Sequence, residues 1–267
     1  MVSLNSIKIT GSIFKKIQNL AKKSHKYENG VVLVVAGSSL YHGSLVFAAV
    51  TASRIADLIH VCTARENFSV IKKCSPALIV HSYGTARKLA EEVDSILIGP
   101  GIPETRAMKN LVTSLVSGNP DKKIILDATA LHLIPASKLH SNCVVTPHAR
   151  EFKALFDMPA SKENVVKAAK KFGCIVTLKG QIDYISDGEK IYSNSTGNEG
   201  LTKGGTGDTL AGLIVGFASQ NPLLESTLAA FYLNGFAGDR LKKKLGTMFN
   251  AKDLMAELPL AFKKIKK

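Results

Sequence analysis

Short apolar runs alternate with stretches of helical period along most of the chain. Positions 31–36, 58–63, 77–82, 95–99, 123–127, 143–146 and 174–179 are rich in β-branched residues, which predicts seven strands. Between them, 44–56, 85–93, 106–117, 150–156 and 162–172 carry apolar residues three and four positions apart, as amphipathic helices do. Strands that are apolar on both faces, with helices between them, predict a parallel sheet covered on both sides. Near position 181 the rhythm changes. Tyr184-Ile185-Ser186 and Lys190-Ile191-Tyr192 flank Asp187-Gly188, a pair suited to a tight hairpin turn. After Asp208 the pattern is helical to the end. No linker or repeat interrupts it, so one α/β domain over 1–267 is expected.

Ligands of such sheets bind beyond the carboxyl ends of the strands. Here the expected strand ends run into Gly37-Ser38-Ser39, Gly99-Pro100-Gly101, Asp127, Thr146-Pro147-His148 and Lys179-Gly180. Small and polar residues at successive strand ends predict one continuous cleft.

The segment Gly204-Gly205-Thr206-Gly207-Asp208 leads into the apolar run 209–217. Glycines leave backbone N–H groups open to close approach, and a helix N-terminus favours an anion. Asp208 then stands at the mouth of a phosphate site, where a carboxylate takes a proton from an attacking hydroxyl. That reading is phosphoryl transfer from a nucleotide. The other reading is a glycine loop in which Asp208 is an ordinary helix N-cap.

Other residues also admit two readings. Asp127, at the end of an apolar strand, is either used chemically or caps the next helix. His148 either hydrogen-bonds a substrate or forms a cap with Glu151. Lys179 either reaches a phosphate or is solvated at its strand end. Asn194, Thr196 and Asn198 either serve the site or are turn residues around Gly197. The remaining histidines, His42, His60, His81, His132 and His140, have no metal-binding spacing.

Composition narrows the class. Of 267 residues, 45% are hydrophobic and only 9 are proline, which suits a sizeable core. No apolar run reaches the roughly 18–20 residues of a membrane span. The net charge is +14, mostly from lysine, since arginine stands only at 54, 65, 87, 106, 150 and 240. The lysine clusters at 15–16, 22–23, 242–244 and 263–267 are not interleaved with aromatic residues, which disfavours a nucleic-acid surface. Ile13-Phe14, Ile17 and Leu20-Ala21 recur at helical spacing in a basic stretch without arginine, which predicts an amphipathic first helix rather than a transit peptide. Cys62, Cys74, Cys143 and Cys174 form no C-x-x-C pair, so a cytoplasmic protein without disulfides or a zinc site is expected.

Taken in order, several segments carry a family resemblance. They are Ala36-Gly37-Ser38-Ser39 through Tyr41-His42-Gly43-Ser44, then Ile98-Gly99-Pro100-Gly101, Leu126-Asp127-Ala128 and Thr146-Pro147-His148-Ala149-Arg150-Glu151-Phe152. Leu178-Lys179-Gly180, the stretch 196–212 and Tyr232-Leu233-Asn234-Gly235 follow. From about Val31 to Pro259 the chain resembles the nucleotide-dependent dehydratases that repair hydrated NADH and NADPH, in the ribokinase-like superfamily. The resemblance implies a single-domain three-layer sandwich, with a mostly parallel central sheet flanked by helices. It implies that ADP or ATP, with Mg²⁺, phosphorylates a misplaced hydroxyl on the nicotinamide ring, after which phosphate leaves. Asp208 would be the base. Lys179, Gly180, Gly204, Gly205, Thr206 and Gly207 would bind the nucleotide. Ser44, Gly99, Gly101, Asp127, His148 and Asn198 would bind the hydrated dinucleotide. No protein metal ligands are assigned. A homo-oligomer is expected, and an epimerase for the two hydrate forms would be a separate protein or absent.

The chain departs from the family's usual residues at Ser44, Pro103, Thr129, His132, Glu199 and Lys203. Lys203, beside the glycine turn, would either reinforce phosphate binding or face solvent. Two alternatives remain from the sequence: a small-molecule kinase of the same superfamily acting on a thiazole or pyrimidine alcohol, and a nucleotide sensor or nucleic-acid-binding protein without turnover.

Overall fold

Apolar residues on both faces of successive strands force helices onto both sides of a sheet, and the computed structural model has that arrangement. It describes residues 5–18 and 23–266. Among the described residues the strands are β1 (Ile7–Lys8), β2 (Val31–Val35), β3 (Leu58–Thr63), β4 (Leu78–Ser82), β5 (Ser95–Ile98), β6 (Lys123–Leu126), β7 (Cys143–Val145), β8 (Ile175–Leu178), β9 (Asp183–Ser186) and β10 (Ile191–Asn194). They form one sheet in the order β1-β10-β9-β8-β7-β6-β5-β2-β3-β4. The seven strands expected from the pattern, β2 to β8, are mutually parallel. The expected hairpin is β9–β10, antiparallel, and β9 also runs antiparallel to β8.

The helices are α1 (His42–Ala52), α2 (Phe68–Cys74), α3 (Ala86–Glu92), α4 (Arg106–Gly118), α5 (Thr129–Leu133), α6 (Ala149–Phe156), α7 (Lys162–Phe172), α8 (Thr206–Ala218), α9 (Leu223–Leu245) and α10 (Ala251–Ile265). Alternate strand residues feed two cores. Val32, Val34, Val61, Leu97, Ile125 and Val144 pack on one face with α1, α8, α9 and α10. Leu33, Val35, Ile96, Ile98, Ile124 and Val145 pack on the other with α3 to α7. The result is a three-layer sandwich, with the sheet between two helical layers. Gly212 and Gly216 bring α8 close to α1: a Cβ on Gly212 would lie 2.4 Å from the Ala48 carbonyl oxygen.

Some expectations need correction. The amphipathic first helix is instead a single 3₁₀ turn over Gly11–Lys15. Phe14 sets this segment, packing edge-on against Phe217, Tyr232 and Phe262, so tertiary contacts override the helical spacing. Leu20, Ala21 and Lys22 lie outside the described residues, as does Lys267. Helices α2 and α5 and strand β1 have no counterpart in the pattern, being too short for a period to show. No helix among the described residues is long and apolar enough to cross a membrane.

Candidate active site

The glycine turn builds the first wall. Helix α8 begins at Thr206, two residues before Asp208, with Gly205 as N-cap at φ +91°. Asp208 is therefore not the N-cap; it stands third in the first turn, where a carboxylate is favoured by the helix dipole. A side chain on Gly205 would be strained and would strike the Phe47 ring, which explains the glycine on structural grounds. Gly204 and Gly207 differ. A Cβ on Gly204 would meet nothing within 4 Å, and one on Gly207 would meet only the Lys179 ammonium, 3.9 Å away. Protein packing therefore leaves the space over these two residues open. Thr206 N–H makes a long bond of 3.4 Å to the Lys203 carbonyl, while among the described residues the amides of Gly205, Gly207 and Asp208 find no acceptor. Such open donors at a helix start suit an anion. The Thr206 hydroxyl faces away, toward the carbonyls of Leu201 and Lys203, and fastens the loop.

Strand ends build the second wall. Asp127 follows β6 and is 2% exposed. Its Oδ1 accepts from the Thr146 hydroxyl at 2.6 Å and from Lys179 Nζ at 2.8 Å. Asp127 and Lys179 sit beyond strands separated by β7, so roughly 9–10 Å of sheet lies between them. The four-carbon lysine stem spans that gap, and Thr146 fills the middle position. A buried carboxylate held this way is satisfied rather than stranded.

The charges are coupled. Burial pushes Asp208 up to about 6, the Asp127 charge pushes the same way, and the Ser44 hydroxyl and Lys179 ammonium oppose both. Burial pulls Lys179 down, but its charge attraction and hydrogen bond to Asp127, with Glu151 and Asp208 beyond, hold it above the ordinary lysine value. One ammonium thus faces several carboxylates, and at Asp208 burial still raises the proton affinity.

The other candidates fall into place around this centre. Ser44 is in the first turn of α1 and faces Asp208. Gly101 packs against it, since a Cβ there would lie 3.2 Å from Ser44 Cβ. Gly99, at φ +131°, lets its loop touch the next one, where a Cβ would come 1.8 Å from the Asp127 carbonyl oxygen. His148 lies beside Lys179 in an isolated parallel bridge. Its ring is engaged as a cap: Nδ1 accepts from the amides of Arg150 and Glu151 at 3.2 Å each, and the Glu151 carboxylate accepts from His148 N–H. Nε2 carries the proton in that tautomer and faces Glu151 Oε1 at 3.5 Å. Asn198 is also engaged, accepting from Gly200 N–H and donating to Asp239. His148 thus makes the capping contacts and Asn198 the turn contacts that their alternatives expect. Gly180 opens the turn after β8 and donates its N–H to Asp183.

Lys203 is exposed, as the solvent reading expects, but its ammonium is tied to backbone carbonyls. It donates to the carbonyls of Thr247 and Phe249 and lies over the Phe249 ring, pinning the α9–α10 loop. Three further contributors escaped the sequence reading. Asn67, 2% exposed, donates to the Ser38 carbonyl and to Thr63. The Tyr83 hydroxyl donates to the Gly37 carbonyl. Asp183 receives Gly180 and Asn194. None sits in a glycine motif, and each acts across the sheet. Among the described residues no group of three or more His, Cys, Asp or Glu side chains could hold a metal ion.

Comparison with known proteins agrees with this geometry. Residues 32–260 match the Carb_kinase family model, NAD(P)H-hydrate dehydratase. The chain is 39% identical to an ADP-dependent (S)-NAD(P)H-hydrate dehydratase of Nitrosopumilus maritimus, with 96% of each chain covered. It is similar to a solved ribokinase-like superfamily protein of Enterococcus faecalis, with a TM-score of 0.90 at 26% identity over 97% of this chain and 96% of that one. It is also similar to the ADP/ATP-dependent NAD(P)H-hydrate dehydratase of Bacillus subtilis co-crystallised with ATP/Mg²⁺, with a TM-score of 0.87 at 25% identity over 98% of this chain and all of that one.

Proposed function

The chain belongs to the NAD(P)H-hydrate dehydratase family, and from that membership we propose how its own residues carry the reaction. The activity is nucleotide-dependent dehydration of the S form of hydrated NADH or NADPH, a metabolite repair. Hydroxide is a poor leaving group and phosphate a good one, so the ring hydroxyl is first made into a phosphate ester. Asp208 takes the hydroxyl proton as the oxygen attacks the terminal phosphorus of the nucleotide, and the shortened nucleotide leaves. Phosphate then departs with the C–O electrons, a neighbouring ring carbon loses a proton, and the double bond returns.

The observation that carries this reading is the placement of Asp208 in the first turn of α8, with open amides around it and Lys179 alongside. At about 6, Asp208 is ionised at neutral pH yet more basic than an ordinary carboxylate, which suits a general base. The Gly205 and Gly207 amides and the Lys179 ammonium would steady the charge on the phosphoryl group in transfer. Ser44, Gly99, Gly101 and Asp127 would line the dinucleotide side. Residues 1–267 would act as one dehydratase domain, and an epimerase that interconverts the two hydrate forms would be its partner activity.

ADP is our proposed donor, because the 39% identical relative is named as ADP-dependent. Mg²⁺ ordinarily needs only one or two carboxylates besides water and substrate phosphates, so a site without a carboxylate cage suits an ion carried on the nucleotide. It would neutralise phosphate charge there.

The test is recovery of NADH from its hydrate, followed by absorbance, with ADP, with ATP and with neither. Recovery with ADP is expected. Recovery without nucleotide, or a stable phosphorylated product in place of NADH, would overturn the reading.

A further inference from the structure

Between the Lys179-Gly180 turn and the glycine turn runs a line of hydrogen bonds joined by short stretches of chain, exposed at its Gly180 end and partly buried beyond. Asp183, the first residue of β9, accepts from Gly180 N–H on Oδ1 at 3.0 Å. Its Oδ2 accepts from Asn194 Nδ2 at 3.1 Å, across the register pair that joins β9 to β10. Asn194 is 1% exposed and turns its oxygen to the Thr196 hydroxyl, which donates at 2.9 Å. Next along the chain, Gly197 N–H and Asn198 Nδ2 both donate to Asp239 on α9. The loop then enters the short turn Glu199–Thr202 and reaches Gly204.

A hairpin needs none of this, since backbone bonds already set its register. Asp183 is half-buried and its hydrogen-bond partners are neutral amides; burial pushes it up to about 6, against the opposing pull of those hydrogen bonds and the Lys179 charge. A carboxylate kept under that penalty is spatially informative, because each of its oxygens fixes a different segment. The line also has a direction. Asp183 can only accept when ionised, so Asn194 must present its NH₂ to it and its oxygen to Thr196.

We propose that Asp183, acting through Asn194 and Thr196, holds the Lys179-Gly180 turn at a fixed distance from the Gly204–Gly207 turn and is thereby a positioning residue for the nucleotide. This rests on the reading above that these two turns hold the nucleotide. On the dinucleotide side Ser44, Gly99 and Gly101 lie on other loops, and only Asp127, bonded to Lys179, adjoins the line.

The experiment pairs Asp183→Asn with Thr196→Val. Asparagine at 183 keeps one acceptor oxygen in place of two, so it cannot hold both Gly180 N–H and the Asn194 NH₂; where the Asn194 bond is lost, Asn194 turns over and releases Thr196. Calorimetric binding of ADP should weaken about tenfold in Asp183→Asn, the scale of a lost hydrogen bond to a charged group. The KM for ADP should rise in step, while kcat at saturating ADP and the KM for hydrated NADH stay within about twofold. Hydrogen exchange at the Gly180 amide should quicken. Thr196→Val, which touches neither Gly180 nor Lys179, should weaken ADP binding by itself, and in the double variant the two effects should fall short of multiplying. Unchanged ADP binding in either folded variant, or effects that multiply, overturns the proposal. Native protein that binds ADP without restoring NADH overturns the repair reading and leaves the positioning role standing. Native protein that restores NADH, with Asp183→Asn binding ADP normally, overturns the positioning role alone.

Discussion

Lys179 Nζ lies 2.8 Å from Asp127 Oδ1, although the two residues end strands that a third strand separates. The carboxylate is 3% exposed and the lysine side chain 23%, so the pair is largely withdrawn from water. Removing only the cation leaves an uncompensated buried charge. Lys179→Met should therefore lower stability by about 3–5 kcal/mol in denaturant unfolding. Adding Asp127→Asn to that variant should recover most of the loss, because it removes the orphaned charge. Equal stability of Lys179→Met and the native chain would mean that the pair does not persist in solution.

Asp208→Asn should keep ADP affinity and lower turnover by about 10²–10⁴-fold, the usual range for a lost general base. In the native enzyme kcat/KM should fall as pH drops through about 6, where Asp208 takes up its proton. The same shift has a stability consequence. The folded value is about 6 against an ordinary 3.8, so ionisation is disfavoured in the fold, and native stability falls as pH rises from 3.8 to about 6. Asp208→Asn escapes that loss. Its melting temperature should exceed the native one above pH 6 and match it below about pH 4. A constant difference across pH would contradict the shift.

Two glycines of the same turn should respond differently to valine. At Gly207 a Cβ meets only a lysine tip at 3.9 Å, so the fold should survive while ADP binding weakens sharply. At Gly205, with φ +91° and Phe47 ring atoms 2.6 Å from a Cβ, the fold itself should suffer. Thermal unfolding and calorimetric ADP titration separate the two outcomes. Normal ADP affinity in Gly207→Val would remove the phosphate from this turn.

His148 caps α6 through Nδ1. His148→Ala should lose about 1 kcal/mol of stability, as lost N-caps do, and His148→Asn should restore it. If His148 acts on substrate as well, the asparagine variant will regain stability without regaining the KM for hydrated NADH.

Much of the site was legible because its markers are local. Glycines, an acid and a lysine at strand ends are visible where they occur, and Asp127, Lys179, Gly207 and Asp208 do converge in space. The alternative that makes Asp208 the N-cap would start α8 at Thr209; the helix starts three residues earlier because Gly205 takes the capping position. The two readings of Lys203 stayed open for a different reason. Its partners, the carbonyls of Thr247 and Phe249, stand more than forty positions away in the chain. His60 and His81 show the same limit: 21 positions apart, they meet at 3.0 Å because β3 and β4 pair in parallel.

The chain's own pattern was sufficient for the strands of the parallel core, the hairpin, the flanking helices other than α2 and α5, and the glycine turn. Each depends on side-chain period or backbone freedom within about a dozen residues. Which strand lies beside which, and hence that Lys179 reaches Asp127 past Thr146, came only with the packed sheet. So did the open space over Gly207, the proton affinity of Asp208 and the line from Gly180 to Thr196. Distances, burial and desolvation arise between segments remote in the chain, so they exist only once the core has closed.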